Sequence, residues 1–86
     1  MSTFYVTGEA CSLKQFYEEA EKIGWKRDIM DGRECLRGED QDEVACDVEE
    51  VVFSDGTTRV QFVRYGKSSV DQLADHFHCL DEYDEY

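Results

Sequence analysis

Proline is absent from the 86 residues, and neither a Gly/Ser-rich linker nor an internal repeat is present. The chain therefore offers no hinge or spacer about which to divide, and at this length it reads as one domain. Basic residues are scarce: nine Lys and Arg stand against 21 Asp and Glu, a formal net charge of -12. That balance excludes the positive footprint of a protein that binds nucleic acid directly. No apolar run approaches the roughly 20 residues of a membrane-crossing helix. The stretch Met1–Glu9 shows no basic region followed by an apolar one, so no secretory signal is read. The expected compartment is the cytoplasm, where Cys11, Cys35, Cys46 and Cys79 remain thiols.

Catalytic signatures are missing as well. There is no phosphate-binding glycine loop, no dinucleotide loop and no Ser-His-Asp arrangement. His76, His78 and Cys79 with the other three cysteines supply metal-binding atoms, but no C-x-x-C pair or zinc-finger spacing organises them. Asp40–Val44 fails as a calcium loop, because Val44 occupies a ligand position and the turn glycine is lacking. We expect no enzyme, no metal and no cofactor.

What is present is enough apolar material to fold. Apolar residues make up 41% and aromatics 13%, too rich a mixture for a disordered acidic chain. Phe4, Tyr5 and Val6 before Gly8 read as a short strand. Ser12 and Gln15 form a capping-box pattern ahead of Leu13, Phe16, Ala20 and Ile23, which repeat at helical spacing until Gly24. Asp31-Gly32 marks a hairpin between residues 25–30 and 33–37, and Asp55-Gly56 marks another between 44–53 and 58–65. With Asp55 and Gly56 as the two turn residues, Val51 faces Val60 and Asp47 faces Arg64, unless a bulge shifts the register. A second helix is expected from about Ser69, with Gln72 in the capping-box position and Val70, Leu73, Ala74, Phe77 and Leu80 on one face. The expected fold is α+β, an antiparallel sheet of four to five short strands packed with two helices in the order β-α-β-β-β-β-α. Residues 1–80 form the domain and 81–86 an acidic C-terminal tail.

The carboxylates fall in groups along this scaffold. Glu18, Glu19 and Glu21 lie on the first helix, with Tyr17 beside them. Glu39, Asp40, Asp42 and Glu43 fill a loop, and Asp47, Glu49 and Glu50 lie on a strand. Asp71 and Asp75 are on the second helix, and Asp81, Glu82, Asp84 and Glu85 alternate with Tyr83 and Tyr86 at the end. Helix positions three or four apart are separated by about 5–6 Å and alternate strand positions by about 6.6–7 Å. These steps are comparable with the phosphate spacing of a nucleic-acid strand, so a rigid scaffold could present carboxylates as a phosphate track. In length, acidity and α+β pattern the chain resembles the small acidic inhibitors of bacteriophages and mobile elements that act as DNA mimics, among them anti-restriction and anti-CRISPR proteins. The resemblance is of physical type, with no shared motif. It implies a host-defence-evading inhibitor whose partner is a basic, nucleic-acid-binding host enzyme, met through the helix, loop and C-terminal acids. The alternative is an acidic immunity or antitoxin-like protein that neutralises a basic toxin or nuclease.

Overall fold

A computed structural model describes residues 3–40 and 42–83, with the backbone alone for 81–83. The elements are β1 (Thr3–Val6), α1 (Leu13–Lys22), β2 (Lys26–Met30), β3 (Arg33–Arg37), β4 (Val44–Val52), β5 (Thr58–Arg64), α2 (Asp71–His76) and β6 (Leu80–Tyr83). All described pairings are antiparallel, in the sheet order β2-β3-β4-β5-β1-β6. The expected α+β order is present, and a sixth strand follows it.

Local chemistry explains the ends of α1. Ser12 accepts from the Gln15 backbone N–H, and the Gln15 side chain accepts from the Ser12 N–H, completing the capping box. At the other end the Trp25 N–H donates to the Ala20 carbonyl and the Gly24 N–H to the Glu21 carbonyl, a Schellman arrangement. Gly24 takes φ +98° there, a conformation that side chains oppose. Trp25 and Ala20, the two residues this motif brings together, are both in the core.

Both helices cover the same face of the sheet. Phe16, Tyr17 and Ala20 of α1 and Leu73 of α2 pack with Trp25, Val70, Leu36, Ala45, Val60 and Phe62. Phe16 anchors the layer: its ring centroid lies 5.5 Å from that of Phe62 and 4.5 Å from that of Phe77. Tyr5 stacks on Phe62 at 5.4 Å from the strand beside it. By strand alternation the opposite face carries Phe4, Val6, Cys35, Val44, Cys46, Val51 and Val63. No described helix covers that face, yet Val6, Cys35, Val44 and Val63 are buried within it.

Three expectations are corrected. The second hairpin is paired one residue out of the expected register: Val52 faces Thr58 and Val51 faces Arg59. Its turn spans Phe53 to Thr57, closed by the Phe53 N–H donating to the Thr57 carbonyl, so the connection is longer than Asp55-Gly56 alone. Normal pairing resumes at Cys46 and Val63 through a bulge at Asp47 and Val48, with Asp47 at φ +52°. Asp47 therefore meets Arg33, at 3.3 Å, instead of Arg64.

The second helix is shorter than its apolar spacing implied. It ends at His76, with Phe77 as its C-cap, and its N-cap is Val70, so no Gln72 capping box forms. His78 takes φ +51°, which reverses the chain, and Leu80 leaves the helix to open β6. Residues 81–83, expected at the start of a tail, pair with β1 from Thr3↔Tyr83 to Tyr5↔Asp81. Backbone pairing to an exposed edge outweighs the helical spacing of Leu80 and Glu82.

Candidate functional site

The helix layer is where the acidic residues converge. Glu18 and Glu21 of α1 and Asp71 and Asp75 of α2 are exposed on elements that lie side by side. Loop 38–43 adjoins both. Glu39 lies against Gly24 at the end of α1, and the Asp42 carbonyl accepts from the Ser69 N–H ahead of α2. Within the loop two backbone bonds hold the shape: the Gly38 N–H donates to the Glu43 carbonyl and the Glu43 N–H to the Asp40 carbonyl. Nine carboxylates, Glu18, Glu19, Glu21, Glu39, Asp40, Asp42, Glu43, Asp71 and Asp75, thus lie on three adjoining segments that the sequence separates by up to 57 positions, although Asp42 itself lines a cleft with Met30, Arg37, Val44 and Tyr65 of the helix-free face.

Glu19 differs from its neighbours because it sits at the seam between the helices. Its carboxylate accepts from Lys22 Nζ at 2.7 Å and lies 3.4 Å from His76 Nε2. The Lys22 hydrogen bond, followed by that of His76, holds its carboxyl below the usual glutamate range. An open cleft of about 390 Å³ beside this seam is lined by Cys11, Gln15, Glu18, Glu19, His76 and His78, among others. Among the described residues, no three His, Cys, Asp or Glu side chains gather closely enough to hold a metal ion.

Asp81, Glu82 and Tyr83 lie on edge strand β6, which is described in its backbone only, and Asp84 and Glu85 lie outside the described residues. Tyr17 is 5% exposed, and its ring lies under the Arg27 guanidinium at 4.1 Å, so it belongs to the core and not to the acidic surface.

Two positioning groups escaped the sequence reading. The first turn of α1 contains no acid, but Glu50 of β4 reaches across, and its Oε2 accepts from the Leu13 N–H at 2.8 Å. A carboxylate at a helix N-terminus satisfies an orphan donor and opposes the positive end of the dipole. Arg59 donates to the Thr7 and Gly8 carbonyls at 3.3 and 3.0 Å and lies over the Phe53 ring. Neither contact has a local sequence signal, because each joins residues 37 or more positions apart.

No known protein family, curated protein or solved structure matches the chain. No helix among the described residues is long and apolar enough to cross a membrane.

Proposed function

We propose that this protein is a non-enzymatic inhibitor that presents its acidic helix layer to the nucleic-acid-binding groove of a basic bacterial defence or DNA-processing enzyme, in the cytoplasm of the cell that contains it. The observation that carries this reading is the meeting of three acidic segments, with Glu39 of the 39–43 loop against the end of α1 and the Asp42 carbonyl bonded to Ser69 ahead of α2. A groove built to hold phosphates with Lys and Arg derives much of its affinity from charge, and an acidic layer of fixed shape competes for the same contacts. Long-range attraction between the two would also speed their encounter.

The test is capture from bacterial lysate on the immobilised protein, with elution by duplex DNA and by a salt gradient. A DNA-binding enzyme that DNA displaces, and that a Glu39→Lys/Asp40→Lys/Asp42→Lys/Glu43→Lys protein fails to retain, supports the reading. A captured partner that DNA leaves in place overturns mimicry and supports neutralisation of a basic toxin at a separate site. Retention unchanged by salt and by the loop reversal removes the acidic layer from the interface altogether.

A further inference from the structure

On the helix-free face, Cys35 of β3 and Cys46 of β4 are directly opposed in the antiparallel register. The hydrogen-bond phase of both neighbouring ladders identifies the kind of pair they form. The Gly38 N–H donates to the Glu43 carbonyl, so on the β3–β4 ladder the hydrogen-bonded positions are 38/43 and 36/45, and 35/46 falls between them. On the β4–β5 ladder the Tyr65 N–H donates to the Val44 carbonyl. The polar backbone groups of Val44 and Cys46 therefore point to β5, away from Cys35. Cys35 and Cys46 thus occupy a non-hydrogen-bonded pair, where Cα atoms approach to about 4.5 Å and side chains stand closest. That separation lies within the range of about 4.4–6.8 Å that a disulfide spans.

We propose that Cys35 and Cys46 are a reversible dithiol site that closes to a cross-strand disulfide by exchange with low-molecular-weight disulfides of the glutathione type. The surroundings divide the labour between the two sulfurs. Cys35 is fully buried, whereas Cys46 is only partly so. A cleft of about 330 Å³ lined by Met30, Arg33, Asp47 and Tyr65 opens over both. Burial, with Asp47 next, pushes the Cys46 thiol up, and Arg33 opposes the rise; burial, with Asp28 next, does the same at Cys35 against Arg37. Both thiols are protonated at neutral pH, so the site closes slowly and only under oxidising conditions.

Cys46 loses its proton to solvent and attacks one sulfur of the small disulfide, forming a mixed disulfide and releasing one small thiolate. Cys35 then loses its proton and attacks Cys46 Sγ, forming the protein disulfide and releasing the second thiolate. The protein gives up two electrons, the small disulfide gains them, and two small thiols leave. Excess small thiol drives both steps backward.

The full-length protein is incubated with glutathione disulfide, then quenched with acid, and its free thiols are counted after unfolding. The expected count falls from four to two, with residues 34–37 joined to the tryptic peptide that contains Cys46, and dithiothreitol restores all four. Cys35→Ser should stop at a persistent glutathione adduct on Cys46, while Cys11→Ser should still form the 35–46 link. Circular dichroism of each variant reports folding, and the linkage map of the unmutated chain stands without them. Four unchanged thiols, a persistent adduct on the unmutated chain, or a link between Cys11 and Cys79 instead would each overturn the proposal.

Discussion

The two faces of this sheet are built from alternate residues of the same strands, and they stabilise the molecule by different means. Phe62 and Val63 show the contrast within one step along β5. Phe62 points into the helix layer and touches Tyr5 and Phe16, while Val63 points to the face without helices and is 7% exposed. On the first face burial is achieved by a second layer. On the other it is achieved without a helix layer, on a face that also carries the exposed pairs Arg33 with Asp47 and Arg37 with Asp28. A small domain with one core has placed its fully buried aromatics, Phe16, Trp25 and Phe62, on one side and left the other thin. The acidic layer then stands on the better supported face.

The sharpest way to break this comparison is to truncate both residues. Phe62→Ala should lower stability by about 3–5 kcal/mol and Val63→Ala by about 1–2 kcal/mol, because the first leaves an enclosed cavity and the second a site that solvent can reach. Urea unfolding followed by the emission of Trp25, the only tryptophan, measures both. Equal losses would mean that the helix-free face is a second core.

Removing the link from the sheet to α1 should have a smaller effect. Glu50→Gln keeps an acceptor but loses the charge at the helix N-terminus, and Glu50→Ala loses both. We expect a loss of about 1 kcal/mol for alanine and about half of that for glutamine. A null effect in urea titrations of both would reduce Glu50 to one more surface acid.

Much of this fold was legible where the physics is local. The Ser12/Gln15 box, the Gly24 stop and the Asp31-Gly32 turn, with φ +53° and +79°, each occupy a few adjacent residues and formed as read. The second hairpin failed because two local signals competed. Asp55-Gly56 argued for a two-residue turn, but Asp55 accepts from both the Thr57 N–H and hydroxyl, which widens the turn and shifts the register by one. Leu80 failed for a tertiary reason: its spacing from Phe77 suits a helix, while the open edge of β1 offers a full row of backbone partners. The acidic groups on the helices and loop were legible as residues, but the adjacency of their segments was not, since it depends on Phe16 meeting Phe77 and on Ser69 meeting Asp42. The dithiol needed the register as well, and no cysteine spacing encodes it.

Crowding nine carboxylates onto three adjoining segments should itself cost stability, by less than either truncation. Neutralising the loop as Glu39→Gln/Asp40→Asn/Asp42→Asn/Glu43→Gln should raise stability by about 0.5 kcal/mol, roughly 2–4 °C in Tm at low salt. Added sodium chloride should narrow the gap between the variant and the parent, because salt screens the repulsion that the substitutions remove. A destabilised variant would show that these side chains hold the loop in place beyond its backbone hydrogen bonds.

The finest comparison is between single carboxylates on the two sides. Glu19 on the helix side is held low first by its hydrogen bond from Lys22, and Asp28 on the other side first by that from Arg37. A carboxyl whose folded pKa is depressed stabilises the folded chain above its unfolded pKa, and that contribution disappears as pH falls through the folded value. Both contributions should therefore be present at neutral pH and fade on acidification below the ordinary values of 4.5 for Glu19 and 3.8 for Asp28. Carboxyl-carbon NMR titration should place both midpoints below those ordinary values. Lys22→Gln should raise the midpoint of Glu19 only partly, because the His76 side chain, the second group that holds this carboxyl low, still approaches it from α2 at 3.4 Å. Arg37→Gln should likewise leave part of the Asp28 shift, because the Ile29 N–H continues to donate to that carboxylate at 2.8 Å. The residual at Glu19 should shrink in high salt and the residual at Asp28 should persist, since the first includes a charge attraction between exposed side chains and the second is a backbone hydrogen bond from the next residue. Equal sensitivity to salt at the two sites would erase the distinction between a helix side tuned by mobile charge and a sheet side tuned by its own backbone.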